Sequence, residues 1–204
     1  MNNTLLAILF RGGFLMIPII ICSVIGLALI MDRFLTYRRL HLGGFTLADS
    51  VRKALKRGDI EAAIGHLEGS EDAGSTILLE TLVRYREGSG TVLNSFTLAA
   101  GELVRKMESS LRGLATVAAL SPLLGLLGTV IGMIRAFMVI EGHGASVSPA
   151  LLAGGIWEAL LTTAAGLTVA IPCLMFHNLF QGRIEQVENE LAGMITELED
   201  VVRS

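Results

Sequence analysis

The sequence predicts an all-α membrane protein. Three transmembrane helices are expected, two of them extended into the cytoplasm as long helices, with a small helical cytoplasmic region. Three observations lead there. Apolar residues fill 52% of the 204 positions and charged residues only 17%, with a mean hydropathy of +0.63. Three runs have the length of roughly 20 apolar residues that a spanning helix needs. Twelve of the sixteen Lys and Arg lie between Arg33 and Arg112, and 141–149 has none.

The first span is expected at about 13–33, because Phe14 to Met31 carries no formal charge. A cleaved signal peptide fits poorly. The apolar run is too long, and no small-x-small cleavage pattern follows it. The second span is expected at about 114–140, with Arg112 just before it and Arg135 near its outer end, and the third at about 150–180. Positive charge stays on the cytoplasmic side. The N-terminus is therefore expected outside, 34–113 and 181–204 in the cytoplasm, and 141–149 as a short outer loop. The whole chain, 1–204, reads as a single membrane domain.

Between the first two spans the chain reads as short helices. Thr46 and Asp59 are candidate N-caps, and Gly58, Gly69 and 88–90 are breakers. From Thr91 helical periodicity continues without interruption to Ser121-Pro122. The second span is thus expected to be the outer part of one long helix. Pro122 and Pro172 are expected to bend their helices, since each ring removes a backbone hydrogen bond. After Phe180, the residues Ile184, Val187, Leu191, Met194, Leu198 and Val201 recur at alternating intervals of three and four. That is a coiled-coil type stripe. It is suited to packing on the chain's own cytoplasmic helices and to contact with neighbouring copies.

Composition excludes several function classes. A net charge of −3 argues against a nucleic-acid surface. Cys22 and Cys173 fall within spans with no His/Cys cluster around them, so neither a disulfide framework nor a metal site is expected. The four His have no metal-ligand spacing. No phosphate-binding glycine loop or nucleophile elbow occurs. No catalytic residue, cofactor or metal is expected, and the chain reads as a non-enzyme.

Glu158 is the most informative residue. From Ala159 to Gly182 no formal charge follows it. An intramembrane carboxylate is expensive in lipid and by default faces a bundle interior, a watery cavity or an ion path. It reads as a site that takes up and releases a proton. Spans two and three form an antiparallel hairpin about 144–145. At about 1.5 Å per residue, Thr129 and Glu158 differ in depth by only ~5 Å. Thr162, one turn deeper, brackets Thr129 from the other side.

Faces agree. At about 100° per residue, Gly154, Thr162 and Ala165 fall within ~40° of Glu158, whereas Thr163 points ~140° away. Gly125 shares the face of Thr129. Gly128 and Gly132 form a GxxxG pair, and with Gly125, Gly154, Gly155 and Gly166 they are expected to be helix-packing residues. Arg135 is expected to extend outward toward the interface. The competing reading is a structural scaffold in which Glu158 is an interhelical hydrogen-bonder.

The motifs SPLLGLLGTVIGMIRAF and GGIWEALLTTAAGLTVAIPCLMFHN resemble the MotA/TolQ/ExbB proton-channel family. The three-span layout and large cytoplasmic loop resemble its ExbB/TolQ branch. The resemblance implies a homo-pentamer in the bacterial inner membrane, multi-pass, with a periplasmic N-terminus and a cytoplasmic C-terminus. It implies an ExbD/TolR-like single-span partner, two copies of it, in a central pore, and proton flow coupled to mechanical work. The pore glutamate of the family matches Glu158. Its threonines match Thr129 and Thr163, which places Thr163 beside Thr162 as a candidate on the proton pathway.

Overall fold

The computed structural model describes residues 13–39, 48–70, 72–88, 91–143 and 149–203. Seven helices lie among them: α1 (Met16–Arg39), α2 (Asp49–Lys56), α3 (Ile60–Leu67), α4 (Ala73–Arg86), α5 (Val92–Glu108), α6 (Leu111–His143) and α7 (Pro149–Arg203). No strand occurs among the described residues. Three stretches are long and apolar enough to cross a membrane, within Met16–Arg38, Val92–Glu141 and Ala153–Val201. The protein is an all-α, multi-pass membrane protein.

The chain divides into two compact units, one within Met1–Met31 and Leu111–Asn178, the other within Asp32–Ser110 and Leu179–Ser204. In the first unit, close approach is set by residues without bulk. A Cβ on Gly26 of α1 would stand 2.6 Å from the Cys173 sulfur of α7 and 3.3 Å from Val117 of α6. A Cβ on Gly113 of α6 would stand 3.2 Å from Leu29 of α1. Apolar burial does little to drive helices together in lipid, so such van der Waals fits carry the association. Met16, Ile19, Val117 and Cys173 are buried in this unit.

Both Pro122 and Pro172 lie inside continuous helices, α6 and α7. Beside the first proline, the buried Ser121 hydroxyl donates to the Val117 carbonyl at 2.7 Å. This satisfies a polar side chain that would otherwise be costly at that depth.

The second unit is a set of short helices whose neighbours in sequence pack on each other. Asp59 accepts from the Ala62 N–H at 3.0 Å, and Asp72 from the Ser75 N–H at 2.8 Å. Each satisfies one orphan donor at a helix start. Thr91 caps α5 in the same way, accepting from the Asn94 N–H at 3.2 Å. The expected cap Thr46 lies outside the described residues. The N-cap position of α2 is Ala48, which offers no side-chain cap. All six stripe residues of the tail are buried here, none more than 5% exposed. Tyr37 and Phe180 add a tilted ring contact at 5.1 Å between centroids.

The expected unbroken helix from Thr91 is corrected by a turn at Ser109–Ser110, which separates α5 from α6. Arg33, only 6% exposed, sits at this turn. Its guanidinium donates to the carbonyls of Lys106 at 2.8 Å and Met107 at 3.0 Å. It also donates to the hydroxyls of Ser109 at 3.3 Å and Ser110 at 2.7 Å. Asp32 pairs with the same guanidinium at 3.1 Å. A helix end leaves carbonyls unpartnered, and a cation there is favoured by the macrodipole.

Candidate functional site

The third spanning stretch delivers Glu158 on α7 to the inner side of the first unit. Glu158 is half-buried, and Arg135 of α6 donates to its Oε1 at 3.1 Å. Arg135, expected to extend outward, turns instead to the Glu158 carboxylate. The side chain is long enough to cover the small depth difference between the two positions, and pairing offsets the cost of each charge in an apolar setting.

The helices meet closely around this pair. A Cβ on Gly132 would stand 2.8 Å from the Ala159 Cβ, and one on Gly155 would stand 3.0 Å from the Ala136 Cβ. A Cβ on Gly125 would fall 2.9 Å from Thr163 Cα and 3.0 Å from the Thr162 carbonyl oxygen. One on Gly166 would fall 2.5 Å from the Ser121 carbonyl oxygen, and one on Gly128 would run into the Thr162 side chain. Five of the six candidate packing glycines thus stand where an added Cβ would crowd the facing helix. Gly154 differs: a Cβ there meets nothing within 4 Å.

Gly13 closes the site from the start of α1. It has φ +70°, and an added Cβ would land on the Glu158 carboxylate. The turn it begins is held by Met16 N–H to the Gly13 carbonyl at 3.2 Å and by Ile17 N–H to the Phe14 carbonyl at 3.2 Å. Between these elements lies a cavity of about 40 Å³ lined by Phe14, Leu15, Gly128, Ile131, Gly132, Arg135, Glu158 and Thr162. A water needs on the order of 10–15 Å³ of such space and two or more polar partners. Glu158, Arg135 and Thr162 supply them.

The three candidate threonines separate. Thr162 is 2% exposed, lines the cavity with Glu158, and donates to the Ala159 carbonyl at 2.7 Å. Its proton is committed to the helix, so its lone pairs are what it offers the cavity. Thr163 donates across the helix pair to the Gly125 carbonyl at 2.9 Å and is not among the cavity-lining residues. Thr129 donates to the Leu126 carbonyl of its own helix at 2.7 Å and is also not among them. Glu158 and Thr162 are therefore brought together, while Thr163 and Thr129 are engaged with backbone nearby.

Two site residues escaped the sequence reading. Arg135 had a readable signal, being the one Lys or Arg between Arg112 and Arg183. It lies on the facing arm of the hairpin, about one helical turn nearer the tip than Glu158. Gly13 had only the glycine pair at 12–13 ahead of the first span as a hint.

The comparisons with known proteins bear on the same residues. Residues 71–192 match the MotA/TolQ/ExbB proton channel family, a stretch that includes Arg135, Glu158 and all three threonines. The chain is 34% identical over 177 residues to a putative biopolymer transport protein ExbB-like 3 of Synechocystis sp.. That match covers 83% of this chain and 81% of the relative. It is 36% identical over 110 residues to the Tol-Pal system protein TolQ of Haemophilus influenzae, covering 54% of this chain and 48% of the relative. It is 36% identical over 97 residues to the biopolymer transport protein ExbB of Neisseria gonorrhoeae, covering 48% and 44%. This chain belongs to the MotA/TolQ/ExbB proton channel family, on its ExbB/TolQ branch.

Proposed function

We propose that the chain is the proton-conducting subunit of an energy-transducing complex in the bacterial inner membrane. It would act as a homo-pentamer around two copies of an ExbD/TolR-like single-span partner and couple proton-motive force to mechanical work. Glu158 takes up and releases the proton. Thr162 serves as its polar neighbour in the cavity, with Thr129 and Thr163 as further polar residues of the pathway. The N-terminus is periplasmic and the C-terminus cytoplasmic, in line with the Lys and Arg concentrated between Arg33 and Arg112. No bond-making chemistry is assigned to the chain, which acts as a channel subunit and not as an enzyme.

One observation carries this reading: a carboxylate and a buried hydroxyl share a cavity with room for water inside an apolar helix bundle. One proton crossing the membrane potential releases about 2.3 kcal/mol per 100 mV. A few protons thus suffice to drive a conformational step. The test is Glu158→Gln in the assembled complex. Proton-motive-force-dependent work should be abolished while the oligomer still forms; retention of full work ends the proposal.

The ion pair between Arg135 and Glu158 favours a second reading, a scaffold whose carboxylate ties α6 to α7. A scaffold predicts a loss of melting temperature in Glu158→Gln with proton flux untouched. The channel reading predicts the reverse.

A further inference from the structure

We propose that Arg135 is a resident counter-ion that holds Glu158 out of proton traffic in the resting chain, so that their ion pair must open for each proton taken up. The inference rests on the reading of Glu158 as the proton carrier and adds a gate to it.

The geometry points to a gate made of side chains alone. Gly132 against Ala159 and Gly155 against Ala136 flank the pair and fix the spacing of α6 and α7 around it. The helices already touch there, and a rotamer change of one long side chain is enough to open the pair. Arg135 is the freer partner: its side chain is 56% exposed, that of Glu158 29%. Among the described residues lining the cavity, Arg135 is the one charged group facing the carboxylate. From the turn before α1 the neighbours are Gly13, Phe14 and Leu15, from α6 Gly128, Ile131 and Gly132, and from α7 Thr162; none of these carries a charge.

A guanidinium does not give up its own protons in a protein, so Arg135 cannot pass one on. It can only compete with one. A proton from the medium forms an O–H bond on the Glu158 carboxylate as the N–H···O contact from Arg135 breaks. Release of that proton restores the contact. The cavity beside the pair offers the protonated carboxyl a water or the Thr162 oxygen as its next partner. Holding the carboxylate paired suppresses leak when no work is being done. Arg135 is thus a positioning residue acting through Glu158.

The test uses the full chain reconstituted alone in vesicles under a potassium diffusion potential, with an enclosed pH dye reporting proton entry. The native chain and Arg135→Lys should be proton-tight. Arg135→Gln should leak several-fold faster, and the leak should vanish in the double variant Arg135→Gln/Glu158→Gln. Arg135→Met serves in the same role should the glutamine variant not assemble. The proposal is overturned if the neutral variants stay tight, if Arg135→Lys leaks like them, or if the leak survives loss of Glu158. Failure of the underlying reading looks different: the assembled complex would keep working with Glu158→Gln, whatever the vesicles report.

Discussion

The Thr163 hydroxyl donates to the Gly125 carbonyl at 2.9 Å, and a Cβ on that same glycine would stand 2.9 Å from Thr163 Cα. Missing bulk and a hydrogen bond thus meet at one crossing of α6 and α7. The neighbours of Gly125 there are backbone atoms, which cannot rotate away. Gly125→Ala should destabilise the protein by about 1–3 kcal/mol, the usual cost of overpacking. Thr163→Val should cost less, roughly 0.6–1.7 kcal/mol, the range for an interhelical hydrogen bond in a membrane. Gly154→Ala meets open space and should leave the melt of the detergent-solubilised monomer unchanged. Equal losses in all three variants would contradict the close-packing account.

Gly13 combines two constraints that no other residue satisfies. Its φ of +70° costs a residue with a β-carbon about 1–2 kcal/mol. The added Cβ would also displace the Glu158 carboxylate. Gly13→Ala should therefore impair proton-driven work more than it lowers the melting temperature. A variant with a lowered melt and unimpaired work would separate Gly13 from the site.

Arg33 fastens the C-terminal end of α5 through two carbonyls and two hydroxyls. Hydrogen bonds to charged groups contribute roughly 1.5–3 kcal/mol each, and buried carbonyls left without partners add to the loss. Arg33→Ala should destabilise by about 2–4 kcal/mol. Arg33→Lys should recover only part, since one ammonium cannot cover the fork of contacts a guanidinium makes. Hydrogen exchange at 105–110 is the local measurement: protection should fall there first.

What was legible in the chain follows from what depends on near neighbours. The three spans are legible as long uncharged runs, and the tail stripe is periodic in sequence with burial following the same period; its six residues, Ile184, Val187, Leu191, Met194, Leu198 and Val201, are all buried. Asp59 caps its helix because a cap needs only the next turn. The turn at Ser109–Ser110 was not legible, because the side chain that engages its carbonyls, Arg33, lies more than seventy residues earlier. Serine by itself does not stop a helix. Depth along a hairpin can be counted, and the count brought Glu158 and Thr129 to one level. Rotation about the axis can be counted within one helix, and the count put Thr162 on the face of Glu158, where the two line one cavity. It does not carry as surely from one helix to the next: the Thr129 hydroxyl goes to the Leu126 carbonyl of its own helix. Arg135 was counted as a lone cation seeking water. A pairing between opposite charges at similar depth required reading the two spans together.

The tail stripe gives the last prediction. Leu198 is fully buried in the second unit, and Met194 is nearly so. Large-to-small changes at such positions cost about 2–5 kcal/mol, because the cavity left behind collapses only in part. Leu198→Ala should therefore unfold the second unit at lower temperature, whereas Glu199→Ala, on the exposed face of the same turn, should not. Glu158, Arg135 and Thr162 all belong to the first unit. Fluorescence melts with one reporter in each unit give the decisive comparison. A loss confined to the second unit, at temperatures where the cavity residues keep their protection, is expected. Simultaneous melting of both reporters at the shifted temperature would mean that the tail stripe stabilises the whole chain, and that the two units do not unfold separately.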